Sequence, residues 1–243
     1  MSARISTLLV CLSICVCTNA LSQQLEFKTV ELESGTKLDY VLILPDDFDK
    51  TKEYPVLLTL PPGQQNKAMV NAGIGLYWKN AGEKGWIVAS PAAPEGKSFN
   101  NNAGLKTLGQ FIDFLDKQLK PEGGKYYLAG ISNGGRSAFS IAGKSPARFH
   151  GIMGIPGVAS SNADTQRLKK IKDLPIALYA GAKDKPWIKG MQSMVDELKS
   201  LGASNLVFEI IPDQGHVIQG WQDGTKLLGV LEKWRTEISA AKK

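Results

Sequence analysis

Short apolar runs alternate with amphipathic segments along almost the whole chain, and this alternation limits the possible folds more than any other feature. Residues 54–60 (YPVLLTL) and 86–90 (WIVAS) are nearly continuous apolar runs, which is typical of strands buried on both faces. Later runs are separated by helical segments, which favours a mostly parallel sheet covered on both faces. The pattern predicts eight strands, at residues 25–33, 36–44, 54–60, 86–90, 125–129, 149–155, 175–180 and 206–211.

The segments between these strands predict helices. The segment 105–119 has an apolar face formed by Leu108, Phe111, Ile112, Leu115 and Leu119, as an amphipathic helix requires. We see no linker, repeat or low-complexity stretch, so residues 23–243 are predicted to form a single domain. The other helices are predicted at residues 67–84, from the glycines at 134–135 to about 143, at 163–172, at 187–201 and at 221–240.

The first residues have the layout of a secretory signal peptide. Arg4 is followed by the apolar run 8–16 and by small residues that include Ala20 and Ser22, so cleavage is expected after one of these two. The run is too short for a membrane-spanning helix, which needs about 20 apolar residues. Residues 1–22 are therefore predicted to be removed and the mature chain to be secreted or periplasmic. It would have no thiol, since the three cysteines are Cys11, Cys15 and Cys17.

Charge and histidine content exclude several classes of function. The chain of 243 residues has a formal net charge of +6, but its basic residues are scattered singly rather than clustered. That distribution is typical of a solvated surface, so no nucleic-acid partner is predicted. The only histidines are His150 and His216, and there is no HExxH motif. We therefore predict no metal site and no other cofactor.

The strongest local motif is Gly130-x-Ser132-x-Gly134, which lies between a predicted strand and a predicted helix. Such a turn is so tight that side chains two residues before and after the serine would collide, which explains the glycines. It leaves the serine hydroxyl exposed at a helix N-terminus, where the helix dipole favours developing negative charge. Ser132 is therefore the candidate nucleophile.

A serine hydroxyl needs a general base and the base needs an orienting carboxylate. His216 follows the last predicted strand, where reacting groups of open parallel sheets gather, whereas His150 begins a strand and is interpreted as a packed or surface residue. Asp184 also follows a strand. Asp213 is only three residues from His216, and Asp173 precedes its strand, so we favour Asp184 as the carboxylate.

With these residues in place, the chain resembles the α/β-hydrolase superfamily over residues 25–240. The order Ser132, Asp184, His216 is the order of that family, and residues 44–63 (LPDDFDKTKEYPVLLTLPPG) resemble secreted carboxylesterases of the polyhydroxybutyrate-depolymerase-like and feruloyl-esterase-like types. The resemblance implies an α/β-hydrolase fold with an eight-stranded, mostly parallel sheet. It also implies hydrolysis of carboxylic esters, on small molecules or on a polymer, through an acyl-enzyme.

The resemblance also implies the positions of the oxyanion hole. In the related enzymes the third strand usually ends in His-Gly, and here Pro62-Gly63 stands in that place. The amide of the residue after this glycine, Gln64, and the amide of Asn133, after the nucleophile, would then hold the oxyanion.

The substrate pocket is expected to be open, because only residues 156–162 separate the sixth strand from the next helix and no lid domain fits there. Trp187 and Ile218, which follow the candidate acid and base, are predicted to line the pocket. Trp221 and Trp78 are weaker candidates, for which core packing is favoured.

Three other functions stay open. A peptidase resembling the catalytic domain of prolyl oligopeptidases is disfavoured because those enzymes generally carry an additional domain, for which residues 23–243 leave no room. An acyltransferase on the same fold would replace water by an alcohol in the second step. A binding protein on a catalytically silent hydrolase scaffold is the alternative outside enzymes.

Overall fold

A computed structural model describes residues 26–241, so the predicted signal peptide, its cysteines and its cleavage site lie outside the described residues. Within the described part of the chain, eight strands form one sheet in the order β1-β2-β4-β3-β5-β6-β7-β8. Strand β2 is antiparallel to β1 and to β4, and all other pairs are parallel. The predicted mostly parallel sheet is confirmed. The strands are β1 (Lys28–Glu31), β2 (Lys37–Ile43), β3 (Val56–Leu60), β4 (Ile87–Pro91), β5 (Tyr126–Gly130), β6 (Phe149–Gly154), β7 (Ile176–Gly181) and β8 (Leu206–Ile211).

Helices cover both faces of the sheet. Side chains of α1 and α6 pack in the core on one face, and side chains of α2, α3 and α5 pack in the core on the other. None of the helices within residues 26–241 combines the length and apolar character needed to cross a membrane. The helices are α1 (Lys67–Tyr77), α2 (Asn102–Gln118), α3 (Asn133–Lys144), α4 (Asn162–Arg167), α5 (Lys185–Ser200) and α6 (Thr225–Ala240).

The central strands are apolar along their whole length because they bury both faces. Every residue of β3, β4, β5, β6 and β7 is buried. Successive side chains alternate between the two cores, as the period of two in a strand requires. In β5, for example, Tyr126 and Leu128 belong to one core, and Tyr127 and Ala129 belong to the other.

The helix predicted over residues 67–84 is shorter in the structure. Helix α1 ends at Tyr77, and a separate 3₁₀ turn covers Gly82–Lys84. An unbroken helix of 18 residues would be about 27 Å long, whereas strands of five residues such as β3 and β4 span only about 17 Å. The chain therefore leaves the helix early and turns into β4 through residues 78–86, of which Trp78, Ala81 and Trp86 are buried.

Two other predicted helices also have different bounds. The segment 163–172 divides into α4 and a 3₁₀ turn at Leu168–Lys170. The closing helix begins at Thr225 rather than at residue 221, because Gly224 precedes it with a positive φ of 72°. A Cβ atom on Gly224 would lie 2.0 Å from the carbonyl oxygen of Tyr77, so the chain passes close to the end of α1 before α6 starts.

Candidate active site

The candidate residues meet because they all follow parallel strands. Ser132 comes after β5, Asp184 after β7 and His216 after β8. The carboxyl ends of parallel strands lie at the same edge of a sheet, so the loops that follow them are neighbours. The loop that begins at Pro61, after β3, also lies at this edge.

The backbone around Ser132 is strained and crowded. Ser132 has φ 57° and ψ −114°, a conformation that residues with a side chain rarely adopt. A Cβ atom on Gly134 would lie 2.0 Å from the carbonyl oxygen of Leu60, and one on Gly130 would lie 2.2 Å from that of Gly134. The turn is therefore wedged against the end of β3, and only glycine fits on either side of the serine, as the sequence predicted.

A chain of hydrogen bonds joins the three candidate residues. His216 Nδ1 lies 2.6 Å from Asp184 Oδ2, and His216 Nε2 lies 2.8 Å from Ser132 Oγ. A carboxylate only accepts hydrogen bonds, so the proton of the neutral imidazole is on Nδ1. Nε2 is then left to accept the hydroxyl proton of Ser132. The Asp184 side chain is 10% exposed and the His216 side chain 43% exposed, so the carboxylate is shielded while the imidazole faces solvent.

A backbone hydrogen bond and a close packing contact join the loops that carry Asp184 and His216. The N–H of Lys183 donates to the carbonyl of Gln214 at 2.9 Å. A Cβ atom on Gly181, at the end of β7, would lie 2.1 Å from the carbonyl oxygen of Gly215. A larger residue than glycine at the end of β7 would thus push apart the two loops that hold the acid and the imidazole.

Ile218 does not line the pocket, and that prediction is wrong. Its side chain is fully buried in the core between the sheet and α1 and α6. The Tyr77 hydroxyl accepts the N–H of Ile218 at 3.1 Å and donates to its carbonyl at 3.4 Å. Burial raises the pKa of Tyr77, which keeps the phenol neutral and able to do both. Ile218 therefore anchors the loop of His216 to α1.

The two amides predicted for the oxyanion hole are available. Within residues 26–241, the backbone N–H groups of Gln64 and Asn133 donate to no protein acceptor. The side-chain amide of Asn133 donates to the carbonyl of Gly63 at 2.9 Å, which ties the start of α3 to the loop that carries Gln64. The loop after β3 and the turn after β5 are thus held next to each other.

Gln65 is a residue of this region that sequence reasoning missed. It is fully buried, and its φ of 60° is positive. Its side-chain oxygen accepts the N–H of Phe99 at 2.9 Å and the Ser98 hydroxyl at 3.0 Å, and its side-chain nitrogen donates to Ser137 Oγ at 2.9 Å. One glutamine thus joins the loop after β3, the loop before α2, and α3. Nothing in the sequence separates Gln65 from its exposed neighbour Gln64.

We expect Gln65→Met to lower the free energy of unfolding by about 2–4 kcal/mol, because buried groups of Phe99 and Ser137 lose a partner at about 1–3 kcal/mol each. Denaturant unfolding would measure this. Gln64→Met, at the exposed position beside it, is the matched control and is expected to change stability by about 0.5 kcal/mol or less. Equal effects of the two substitutions would contradict a specific role for the buried glutamine.

Trp187 lies beside the imidazole. Its ring centroid is 5.6 Å from that of His216. The Arg136 guanidinium carbon lies over the Trp187 ring, 4.7 Å from the ring centroid. Trp187 and Arg136 line a cavity of about 160 Å³, together with Val158, Pro186 and Gly190. Trp187 therefore lies next to the candidate base, and its role in lining a substrate pocket stays a prediction.

The other candidates lie elsewhere. His150 is buried at the start of β6, where its Nε2 lies 2.8 Å from the carbonyl oxygen of Glu122. Asp173 pairs with Lys172 at 2.8 Å. Trp78 and Trp221 are buried in the core, as favoured from the sequence. Among residues 26–241, no group of three or more His, Cys, Asp or Glu side chains is arranged to hold a metal ion.

Comparison of the sequence with known proteins finds a partial relative. No protein family model matches the chain. A dipeptidyl-peptidase 5 of Porphyromonas gingivalis is 26% identical over an alignment of 137 residues that covers 52% of this chain and 20% of that protein. The similarity therefore spans about a fifth of the length of the relative.

Comparison of the structure with solved structures identifies the fold. A thermostable esterase superposes with a TM-score of 0.67 at 18% identity, covering 86% of this chain and 60% of the esterase. A dienelactone hydrolase from Anabaena variabilis superposes with a TM-score of 0.65 at 16% identity, covering 88% of this chain and 98% of that enzyme. These likenesses agree with the eight-stranded, mostly parallel sheet covered by helices. The chain has the α/β-hydrolase fold.

Proposed function

We propose that this chain is a serine hydrolase that cleaves carboxylic esters through an acyl-enzyme intermediate. The observation that carries the proposal is the hydrogen-bonded chain from Ser132 through His216 to Asp184. A hydroxyl on a strained turn, an imidazole that accepts its proton, and a shielded carboxylate together form the constellation of an activated serine nucleophile.

The first half of the reaction acylates the serine. Ser132 Oγ attacks the ester carbonyl carbon while its proton passes to His216 Nε2. Asp184 accepts the Nδ1 proton in a hydrogen bond and stabilises the imidazolium that forms. The negative charge that develops on the carbonyl oxygen is held by the amides of Gln64 and Asn133. The C–O bond to the alcohol then breaks, and the alcohol leaves with the proton from Nε2.

The second half releases the acid. A water molecule attacks the acyl carbon while His216 takes its proton, and the same two amides hold the second oxyanion. The bond to Ser132 Oγ breaks, the oxygen takes the proton back from Nε2, and the carboxylic acid leaves. The exposed side of His216 supports access of water to this step.

Covalent labelling tests the proposal. A fluorophosphonate should modify Ser132 and no other serine, because its hydroxyl has an imidazole at hydrogen-bond distance and the free amides of Gln64 and Asn133 in the neighbouring loops. Intact mass and peptide mapping of the folded protein would measure the adduct, with Ser132→Ala as the control. An unlabelled wild-type protein would favour the silent binding scaffold instead.

We expect kcat/KM on p-nitrophenyl esters to be highest between acetate and butyrate and to fall by more than about tenfold at palmitate, a difference of about 1.4 kcal/mol in transition-state free energy. The reason is space: the cavity lined by Trp187, whose ring neighbours His216, measures about 160 Å³, below the usual 300–1,000 Å³ of ligand pockets. Only residues 155–161 connect β6 to α4, which supports an open site. Rates that still rise beyond octanoate would point to a groove built by residues 91–104.

A peptidase is the second candidate function, and the partial similarity to a dipeptidyl-peptidase favours it. The same serine, imidazole and amides would serve amide hydrolysis, so the substrate decides between the two. A panel of esters, polyesters and dipeptide anilides, with Ser132→Ala as the blank, would measure the ratio. Faster cleavage of the dipeptide anilides would replace the esterase proposal.

The site of action is proposed to be outside the cytoplasm. The apolar run at residues 8–16 and the small residues after it support export. Amino-terminal sequencing of the protein recovered from the periplasm or the medium should find cleavage after Ala20 or Ser22.

The substrate is proposed to be a small-molecule or polymer-linked ester.

A further inference from the structure

Arg136 is an arginine without a carboxylate partner. The other arginines among residues 26–241 each form an ion pair with at least one aspartate or glutamate, whereas Arg136 forms none. Of the five N–H donors of its guanidinium, one is engaged, in a hydrogen bond of 2.9 Å from Nη1 to Asn133 Oδ1. An uncompensated guanidinium with free donors is suited to bind an oxyanion from outside the chain.

The fold directs this charge to the candidate site. Arg136 is one helical turn after Ser132, and its N–H donates to the Ser132 carbonyl at 3.1 Å. Ser132 is the residue that directly precedes α3, so Arg136 lies in the first turn of the helix that follows the nucleophile. Its guanidinium lies over Trp187, whose ring also neighbours His216.

The cavity lined by Trp187 has one charged wall. Arg136 is the ionisable residue among the five that line its volume of about 160 Å³, and the others are Val158, Pro186, Trp187 and Gly190. Arg136, Val158 and Trp187 are partly buried, which strengthens the attraction of the guanidinium for an anion relative to bulk water. Pro186 and Gly190 are exposed, so the cavity is open to a ligand from solvent. A cavity of this size suits a short group that ends in a charge better than a long apolar chain.

We propose that Arg136 and Trp187 form an anion subsite that selects esters carrying a carboxylate a few carbons from the scissile bond. This inference rests on the proposed function and names the substrate class of that site. The guanidinium forms charge-assisted hydrogen bonds with the substrate carboxylate, and Trp187 holds the guanidinium in place through its ring face. The subsite thereby sets the distance between the anion and the ester carbonyl that Ser132 attacks.

Paired substrates of nearly equal shape test the subsite. Mono-p-nitrophenyl glutarate and p-nitrophenyl pentanoate differ only in a carboxylate in place of a methyl group, on the acyl side. The pair of 4-carboxybenzyl acetate and benzyl acetate places the charge on the alcohol side. We expect kcat/KM of the wild type to favour the anionic member of one pair by about tenfold or more, as a charged hydrogen bond allows. The Ser132→Ala protein provides the blank for spontaneous hydrolysis.

Three variants separate a binding role from a structural one. Arg136→Gln should lower kcat/KM on the anionic ester about tenfold more than on its neutral partner, so that the preference is lost, and Arg136→Lys should retain part of it. Lys199→Gln removes the same charge about 18 Å further along α5 from Trp187 and should leave the preference intact. Equal losses on neutral and anionic esters in Arg136→Gln would show that Arg136 only supports Trp187 and Asn133, and would overturn the inference.

Binding measured without turnover keeps this inference separate from the proposed function. Calorimetry with monomethyl glutarate should detect binding to the Ser132→Ala protein and a loss of about tenfold or more when Arg136→Gln is added. A wild type that hydrolyses neutral esters but shows neither preference nor binding would refute the subsite and leave the esterase in place. A wild type without turnover or fluorophosphonate labelling would refute the esterase, and the calorimetry alone would then decide the subsite.

Discussion

Replacement of Ser132 by alanine is expected to lower kcat for ester hydrolysis by a factor of about 10⁴ or more. The substitution removes the hydroxyl that donates to His216 Nε2 at 2.8 Å, so no acyl-enzyme can form. The amides of Gln64 and Asn133 would remain, and residual hydrolysis above the rate in water is expected from them. Steady-state kinetics on p-nitrophenyl butyrate would measure the loss.

A double variant tests whether Ser132 and His216 act together in catalysis. His216→Ala should reduce kcat to a similar extent, and the double variant should be little worse than either single one, because nucleophile and base act as a unit. Circular dichroism and denaturant unfolding would verify that each variant is folded. A Ser132→Ala protein that retained more than about a tenth of wild-type kcat would contradict the acyl-enzyme mechanism.

Asp184→Asn is expected to lower kcat by a factor of about 10³–10⁴ while leaving the fold intact. The asparagine is nearly identical in shape, but its side-chain amide can donate a hydrogen bond to Nδ1 of His216. That bond favours the imidazole tautomer with its proton on Nε2, which then cannot accept the proton of Ser132. The activity should fall even though all distances stay nearly the same.

Asp213→Asn is the matched control for the acid. Asp213 is three residues from His216 and has a positive φ of 59°, yet it is Asp184 whose carboxylate lies 2.6 Å from the imidazole. Asparagine tolerates a positive φ as well as aspartate does, so this substitution should change kcat by less than about threefold. A larger loss in Asp213→Asn than in Asp184→Asn would reverse the assignment of the acid.

Local patterns in the sequence were sufficient for the class of fold. The apolar runs of the central strands arise because neighbours at i and i+1 face two different cores, and this leaves a mark on every short window. The motif at Ser132 is also a local signal, since a Cβ atom on Gly130 would meet backbone atoms of the same turn. The contact that excludes a side chain at Gly134 is with Leu60, at the end of β3, and only the tertiary structure shows it.

Contacts between distant residues explain what the sequence could not decide. Helix α1 was predicted too long because its end depends on the length of the strands it covers. Ile218 was assigned to the pocket from its closeness to His216 along the chain, but Tyr77, 141 residues away, holds it in the core. Spacing along a loop does not determine which side of the sheet a side chain enters.

The sequence by itself determined the alternating strands and helices, the glycine-flanked serine turn, and the strand ends that carry Asp184 and His216. Only the tertiary structure decided that a hydrogen-bonded chain joins these residues, that buried Gln65 links three segments, and that Arg136 lies unpaired over Trp187. The physical reason is the range of the interactions. Periodicity and turn chemistry act over a few residues, whereas the sheet order brings together side chains that are 32 to 84 positions apart.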